Sequence, residues 1–296
     1  MIQGTTKLLG VIGDPIQHSL SPVMHNAAIA HLAVDYVYLP FPVKGEALLA
    51  TLDGFRAIGL VGFNVTIPHK QAIFPLLTEI SPLAQALGAV NTVWQTDQGW
   101  AGTNTDVAGF LAPLRKFDWT GPGKSAVILG NGGASRAVVA GCAMLGISQI
   151  HVVGRSWEKL TIFQRSWQQL KKLENPEPVS FNPVIPQIHL WEALPPLIEQ
   201  TDLLVNTTPV GMSPEVGRSP LEPALIRHLA PKTIVYDLIY TPRPTRLLQM
   251  AQAQGAIPID GLEMLVQQGA AALELWLGQS APIEIMAQAL LQKLER

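Results

Sequence analysis

The sequence predicts an α/β protein of two domains, and three observations carry that expectation. Short runs rich in Val, Ile and Leu alternate with segments of helical periodicity along the chain. The length, 296 residues, is more than one compact α/β unit usually needs and suits two domains of ordinary size. Apolar residues make up 48% of the chain and charged ones only 14%, which supplies material for cores and gives no sign of disorder.

A first strand is expected over residues 8–13, ending at Gly13-Asp14-Pro15. A helix then starts at Ser21-Pro22, where the serine is expected to cap and the proline fits the first turn. Met24, Ala27, Ala28, His31 and Leu32 follow the spacing of its buried face. Strands are expected over residues 37–43, 59–65 and 89–95, and Asp97-Gln98 before Gly99 predicts a hairpin into Trp100-Ala101. A second series opens with a strand over 124–129, a glycine-rich turn and a helix over 135–145. It continues with a strand over 150–153 and a helix from Trp157. Residues 175–196 are spotted with proline and give the weakest assignment, and later strands are expected over 201–206 and 233–238. The tail reads as two helices, the first over 263–277 and the last with Ser280 as its cap and Pro282 in its first turn. Along the last helix Ile283, Met286, Leu290, Leu291 and Leu294 form an apolar stripe suited to packing. No internal repeat or low-complexity tract interrupts this order.

Composition excludes several classes. A formal charge of −2, with Lys and Arg scattered, lacks the basic excess of a nucleic-acid binder. The pair Lys171-Lys172 reads as a solvated helix face. The single cysteine, Cys142, excludes an intramolecular disulfide or a cysteine metal cage, and its apolar neighbours predict a buried helix position. The seven histidines fall in no metal-ligand spacing, so no metal is expected. No signal-peptide pattern opens the sequence, and no apolar run approaches the ~20 residues that cross a bilayer. A soluble, cytoplasmic protein is expected.

The strongest local pattern is AVILGNGGASRAV, residues 126–138. A buried-type strand runs into Gly130, Gly132 and Gly133 and then directly into an apolar helix. Glycines let the backbone turn tightly against a pyrophosphate, and free N–H groups at the helix start attract its charge. Gly-x-Gly alone is weak, but the strand–turn–helix context points to a dinucleotide. The usual third glycine is Ser135, still small. About 20 residues on, an NAD site offers an acidic residue to the ribose. This chain offers Gly154-Arg155-Ser156, with Lys159 nearby. Arg155 can pair with a 2′-phosphate that a carboxylate would repel, so NADP is expected.

The first half places polar groups where packing does not call for them. His18-Ser19-Leu20-Ser21-Pro22 sets two hydroxyls at a loop–helix junction, a fair cradle for a carboxylate. Asn64-Val-Thr66-Ile-Pro68-His-Lys70 follows an apolar strand, with Asn64 and Thr66 on one side by alternation. Ala89-Val-Asn91-Thr92 and Gly102-Thr-Asn104-Thr105-Asp106 put further polar groups at strand ends.

Taken in order, SxS, NVTIPHK, GAVNT, NTDxxG, GxGGAS, GRS, NTTPxGM, DLIYTP and DGLxMLxxQ give a chain that resembles the shikimate dehydrogenase family from residue 10 to about 270. The resemblance implies two α/β domains flanking a cleft: a substrate domain over 1–105, completed by helices from 260–296, and a Rossmann-like NADP-binding domain over 106–259. It further implies NADPH-dependent, reversible reduction of 3-dehydroshikimate to shikimate, in chorismate and aromatic amino-acid biosynthesis. Carried over motif by motif, Ser19 and Ser21 bind the substrate carboxylate, and Asn64, Thr66, Asn91, Tyr240 and Gln268 hold the ring hydroxyls. Lys70 and Asp106 are the catalytic pair. Gly130, Asn131, Gly132, Gly133 and Ala134 take the pyrophosphate, and Gly154, Arg155, Ser156 and Lys159 the adenosine 2′-phosphate region. Leu238 and Gly261 approach the nicotinamide. The implied partner is the small-molecule substrate alone, in a monomer or homodimer.

Two departures stand out. Asn131 replaces the family's usual alanine, and Gly-Arg-Ser replaces a common Asn-Arg-Thr. Neither brings in the acidic residue of an NAD-preferring relative. An NAD-linked quinate/shikimate dehydrogenase is the nearest alternative, against which Arg155 argues. A non-catalytic NADP- or substrate-binding regulator is the alternative from another class, against which Lys70 and Asp106 argue.

Overall fold

The computed structural model describes residues 2–117, 119–172 and 184–295. The Lys171-Lys172 side chains, and the weakly assigned stretch up to residue 183, lie outside the described residues. In chain order the elements begin β1 (Lys7–Gly13), α1 (Ser21–Leu32), β2 (Tyr36–Pro42), α2 (Leu48–Ala57), β3 (Gly62–Val65), α3 (His69–Ala72) and β4 (Glu79–Ile80). Next come α4 (Pro82–Leu87), β5 (Thr92–Thr96), β6 (Gly99–Thr103), α5 (Asp106–Arg115), β7 (Ser125–Leu129), α6 (Gly133–Met144), β8 (Gln149–Gly154) and α7 (Trp157–Lys172). The chain continues through β9 (Gln187–Leu190), α8 (Leu194–Glu199), β10 (Leu203–Asn206), α9 (Pro223–Ile226), β11 (Ile234–Asp237), α10 (Arg246–Ala253) and β12 (Ile257–Ile259). It ends with α11 (Leu262–Leu277) and α12 (Ile283–Leu294). Two compact units result: Met1–Gly109 with Leu265–Arg296, and Phe110–Met264. No helix among the described residues is long and apolar enough to cross a membrane.

In the first unit a six-stranded mixed sheet runs β2-β1-β3-β5-β6-β4. β1 pairs in parallel with β2 and β3, and the β5–β6 hairpin turns at Asp97-Gln98, with Thr96 opposite Gly99. Phe41, Phe55, Phe63 and Trp100 form a chain of aromatic contacts at its core, with centroids 4.9 to 5.4 Å apart. Trp276 of α11 donates to the Val93 carbonyl at 3.0 Å, which fixes the tail against this sheet. The outer edge of β2 is closed chemically. Asn26 of α1 accepts from Tyr38 N–H at 2.9 Å and donates to Tyr38 C=O at 2.8 Å. Pro40 and Pro42, of the same parity, bring no donor to that edge.

Local expectations were corrected at the helix ends. Ser21 does not cap α1: Leu20 holds the cap position without a side-chain bond, and Ser21 is buried in the first turn. The buried face is Ser21, Met24, His25, Ala28 and Ile29, leaving His31 exposed. The helical period is kept but rotated, because His25 stacks on Tyr38 with centroids 4.1 Å apart. Ser280 does not cap α12 either. Pro282 holds that position, and the preceding turn is closed by Glu274, which accepts from Ala281 N–H at 2.9 Å. Of the apolar stripe, Met286 and Leu290 are buried as α12 packs on α1, whereas Ile283 and Leu291 stay exposed. The short strands β4, β9 and β12 were not anticipated.

The second unit holds an all-parallel sheet, β12-β11-β10-β7-β8-β9. Numbered from β7, this is the doubly wound order, with its switch point between β7 and β10. Every residue of β7 and β10 is buried, as central parallel strands require. Val127, Leu129, Leu204 and Val235 pack with Ile198 of α8 and Leu247 of α10. Cys142 is buried in α6, where burial pushes its thiol pKa well up.

Candidate active site

In the first unit a polar network grows from the ends of β3, β5 and β6. Lys70, on the short α3, places Nζ 2.5 Å from Asp106 Oδ2, with the two side chains only 17% and 7% exposed. Asp106 opens α5, and its N–H is held by Asn104 Oδ1 at 3.0 Å. Its second oxygen accepts from Asn91 Nδ2 at 2.9 Å. Asn91 is itself oriented, since its Oδ1 takes the Thr105 N–H at 2.7 Å. The same Nδ2 reaches Thr105 Oγ1 at 3.0 Å and Gln268 Oε1 at 3.4 Å. Gln268, on α11, donates to the Leu265 carbonyl at 2.8 Å. One carboxylate thus meets an ammonium on one oxygen and an amide on the other, with both directions fixed.

Asn64 joins this network through Nδ2, which lies 3.2 Å from both the Asn91 carbonyl and Thr92 Oγ1. Its Oδ1 accepts from the Tyr38 hydroxyl at 2.7 Å. Burial pushes the Tyr38 pKa well above the ordinary phenol value, a rise opposed by a hydrogen bond from Ser21, so the hydroxyl stays a donor. Burial likewise pushes stacked His25 down to about 3, leaving its ring neutral. Ser21 N–H meets Ser19 Oγ at 3.3 Å, and half-buried Thr66 donates its N–H to Ile12 C=O at 3.0 Å. Eight of the expected residues therefore share one unit. Tyr38 and Thr105 complete the network and were not singled out. Tyr38 lies in no polar motif, and Thr105 was visible only as a neighbour of Asp106.

Tyr240 belongs to the second unit, with the residues expected to hold the dinucleotide. There Gly130 directly follows β7 at the switch point with φ +103°. A Cβ on it would stand 2.7 Å from Thr207 Oγ1 and 3.1 Å from Thr208 Cγ2, so only glycine fits. At Gly132, which caps α6 without a side chain, the same construction meets nothing within 4 Å. The start of α6 is therefore open to an anionic ligand, as a pyrophosphate requires. Ser135, at the third-glycine position, is fully buried and donates to Gly132 C=O at 2.8 Å. Arg155 and Lys159 are exposed beyond β8, and Ser156 Oγ accepts the Lys159 N–H at 3.4 Å as a helix cap. The two departures lie against each other: Asn131 Oδ1 sits 3.4 Å from where a Gly154 Cβ would stand.

At the neighbouring strand ends, Leu238 N–H donates to Asn206 C=O and Gly261 N–H to Ile239 C=O, each at 3.1 Å. A Cβ on Gly261 would collide with the Leu238 carbonyl. Between these lies Asp237, fully buried. It accepts from Asn206 Nδ2 at 2.9 Å, Thr245 Oγ1 at 2.7 Å and Ile239 N–H at 3.2 Å. Burial pushes its carboxyl up to about 6, against the pull of those three bonds. Among the described residues no group of three or more His, Cys, Asp and Glu could hold a metal ion.

A doubly wound sheet with an open glycine turn in one unit, and a buried lysine–aspartate pair in the other, define a two-unit α/β protein of the dinucleotide-binding type. Comparison with known proteins narrows this. Residues 11–93 match the shikimate dehydrogenase substrate binding domain, and 261–291 the shikimate 5′-dehydrogenase C-terminal domain. The chain is 58% identical to the shikimate dehydrogenase (NADP(+)) of Gloeothece citriformis, covering 98% of this chain and 97% of the relative. It is equally 58% identical to the one from Nostoc sp., covering 99% of each. A crystal structure of a shikimate dehydrogenase in complex with NADP+ superposes with a TM-score of 0.86 at 36% identity, covering 100% of this chain and 98% of the other. The chain belongs to the shikimate dehydrogenase family.

Proposed function

We propose that the chain catalyses the reversible NADPH-dependent reduction of 3-dehydroshikimate to shikimate, a step of chorismate and aromatic amino-acid biosynthesis. The observation that carries this reading is the Lys70–Asp106 pair, fixed by Asn91 within reach of Gln268. The relatives named shikimate dehydrogenase (NADP(+)) support the substrate and the cofactor. Gly130 to Ala134 would hold the pyrophosphate at the open start of α6. Arg155, Ser156 and Lys159 would meet the 2′-phosphate, with Asn131 and Gly154 beneath. Leu238 and Gly261 would line the nicotinamide end. Bound NADPH supplies the hydride.

Reduction leaves negative charge on the carbonyl oxygen, and Lys70 Nζ stabilises that charge and gives it a proton. Asp106 holds the ammonium in place and takes a hydrogen bond from the neighbouring substrate hydroxyl. Ser19 and Ser21 would receive the carboxylate, and Asn64, Thr66, Asn91, Tyr240 and Gln268 the ring hydroxyls. In the reverse direction Lys70 accepts the proton.

The test is absorbance of NADPH formed from shikimate, run in parallel with NADP+ and NAD+. Turnover with NADP+ and little with NAD+ is expected. Turnover only with NAD+, or only with quinate, would overturn the specificity; no turnover with any pair would leave a binding protein.

A further inference from the structure

Two motifs, NTTPxGM and DLIYTP, each begin with a fully buried polar residue. Asn206 and Asp237 open them, and these residues are direct neighbours in the parallel register of β10 and β11. Their side chains are bonded at 2.9 Å, deep below the surface. The Asn206 amide is fully committed on its other side, where Oδ1 accepts from Thr208 N–H at 3.0 Å and Thr208 Oγ1 at 2.7 Å. The Thr207-Thr208 pair forms the wall against which Gly130 turns. On the opposite side, Asp237 Oδ1 takes the Ile239 N–H and Oδ2 takes the Thr245 hydroxyl, which also caps α10.

A single carboxylate thus links three pieces of backbone: the turn that backs the glycine loop, the Leu238-Ile239-Tyr240 segment and the start of α10. Asp237 forms no ion pair among the described residues, and its three partners are neutral. Packing alone would be met by an apolar side chain; the number and direction of the bonds call for a planar polar group with one oxygen toward Asn206 and Ile239 and a second polar atom toward Thr245.

We propose that Asp237 is a positioning residue for the reacting end of the cofactor, holding the Leu238–Tyr240 segment in register with the glycine loop. This rests on the reading that Leu238 and Gly261 line the nicotinamide. The adenosine end, gripped by Arg155 and its neighbours, does not depend on this carboxylate. Losing it should therefore disorder the nicotinamide without releasing the dinucleotide.

Asp237→Ala and Asp237→Asn separate this from a plain stability role. An asparagine keeps an oxygen for Asn206 and Ile239 and turns an amide toward Thr245, whose hydroxyl can accept. Full-length wild type and both variants would be titrated with NADPH, following nicotinamide emission, dissociation constant and kcat with shikimate and NADP+. For Asp237→Ala the bound-NADPH emission gain should be lost and kcat should fall about ten-fold or more, with the dissociation constant within about three-fold of wild type. Asp237→Asn should keep emission and kcat within about three-fold. Wild-type emission and kcat in Asp237→Ala would overturn the proposal, as would equal losses in both variants or a loss confined to the dissociation constant. If Asp237→Ala does not fold, Thr245→Val removes one of the three bonds. Reduced emission at unchanged affinity supports the proposal, and unchanged emission overturns it. Wild type that binds NADPH but does not oxidise shikimate would sink the functional reading instead, while the emission ratio still decides the role of Asp237.

Discussion

Asp106 and Asp237 are both buried aspartates at the end of an element, one in each unit, but their partners differ in kind. Asp106 meets the Lys70 ammonium and the Asn91 amide. Asp237 meets an amide, a hydroxyl and a backbone N–H, with no cation. The first carboxylate faces a group that can give up a proton. The second is held by geometry, and its ionised form is costly because neutral donors offset burial only in part. The same side chain therefore serves as a charge in one unit and as a bracket in the other, decided by what faces it.

The largest expected effect follows from the first environment. Asp106→Asn keeps the shape and the bond to Asn91 but removes the charge facing Lys70. It should lower kcat by about 10²- to 10⁴-fold, the usual range for a group assisting proton transfer, with shikimate affinity within about ten-fold by calorimetry. A kcat near wild type would remove the charge from the account.

A smaller effect concerns stability and follows from the second environment. Burial raises Asp237 from 3.8 to about 6, so between these values the folded chain keeps a proton that the unfolded chain has released. Stability from this group is complete below the unfolded value and is lost as pH rises through the folded one. Relative to Asp237→Asn, wild type should lose on the order of 2 kcal/mol of unfolding free energy between about pH 4 and about pH 7. Urea unfolding at both pH values measures it. Parallel pH dependence in the two proteins would show that Asp237 carries no such penalty.

The smallest effect tests the paired departures. Because Asn131 Oδ1 lies over Gly154, a Gly154→Asn side chain would meet Asn131 and sit tightly on Leu160. Gly154→Asn alone should raise the NADPH Michaelis constant about five-fold, and adding Asn131→Ala should recover most of it. Strict additivity would mean that the two positions do not share their space.

What the sequence made legible was local. The glycine turn and the strand–helix alternation follow from neighbouring residues, whereas Lys70 and Asp106 were singled out only by the ordered run of motifs that carries the family resemblance. The links Tyr38–Asn64 and Asn206–Asp237 were not legible, because the sheets bring together residues 26 and 31 positions apart, the first pair across β1 and the second on adjacent strands. Cap propensity misled at Ser21 and Ser280. In the first case burial beside Tyr38 took the serine into the turn, and in the second Glu274 closed the turn instead. The strands β9 and β12, of four and three residues, are too short for periodicity to register.

The comparison is tested most directly by kcat of Asp106→Asn and Asp237→Asn, measured side by side at saturating shikimate and NADP+. The account predicts that the first falls by at least about 100-fold while the second stays within about three-fold of wild type. Equal losses, or the larger loss at Asp237, would contradict the assignment of charge to one carboxylate and geometry to the other.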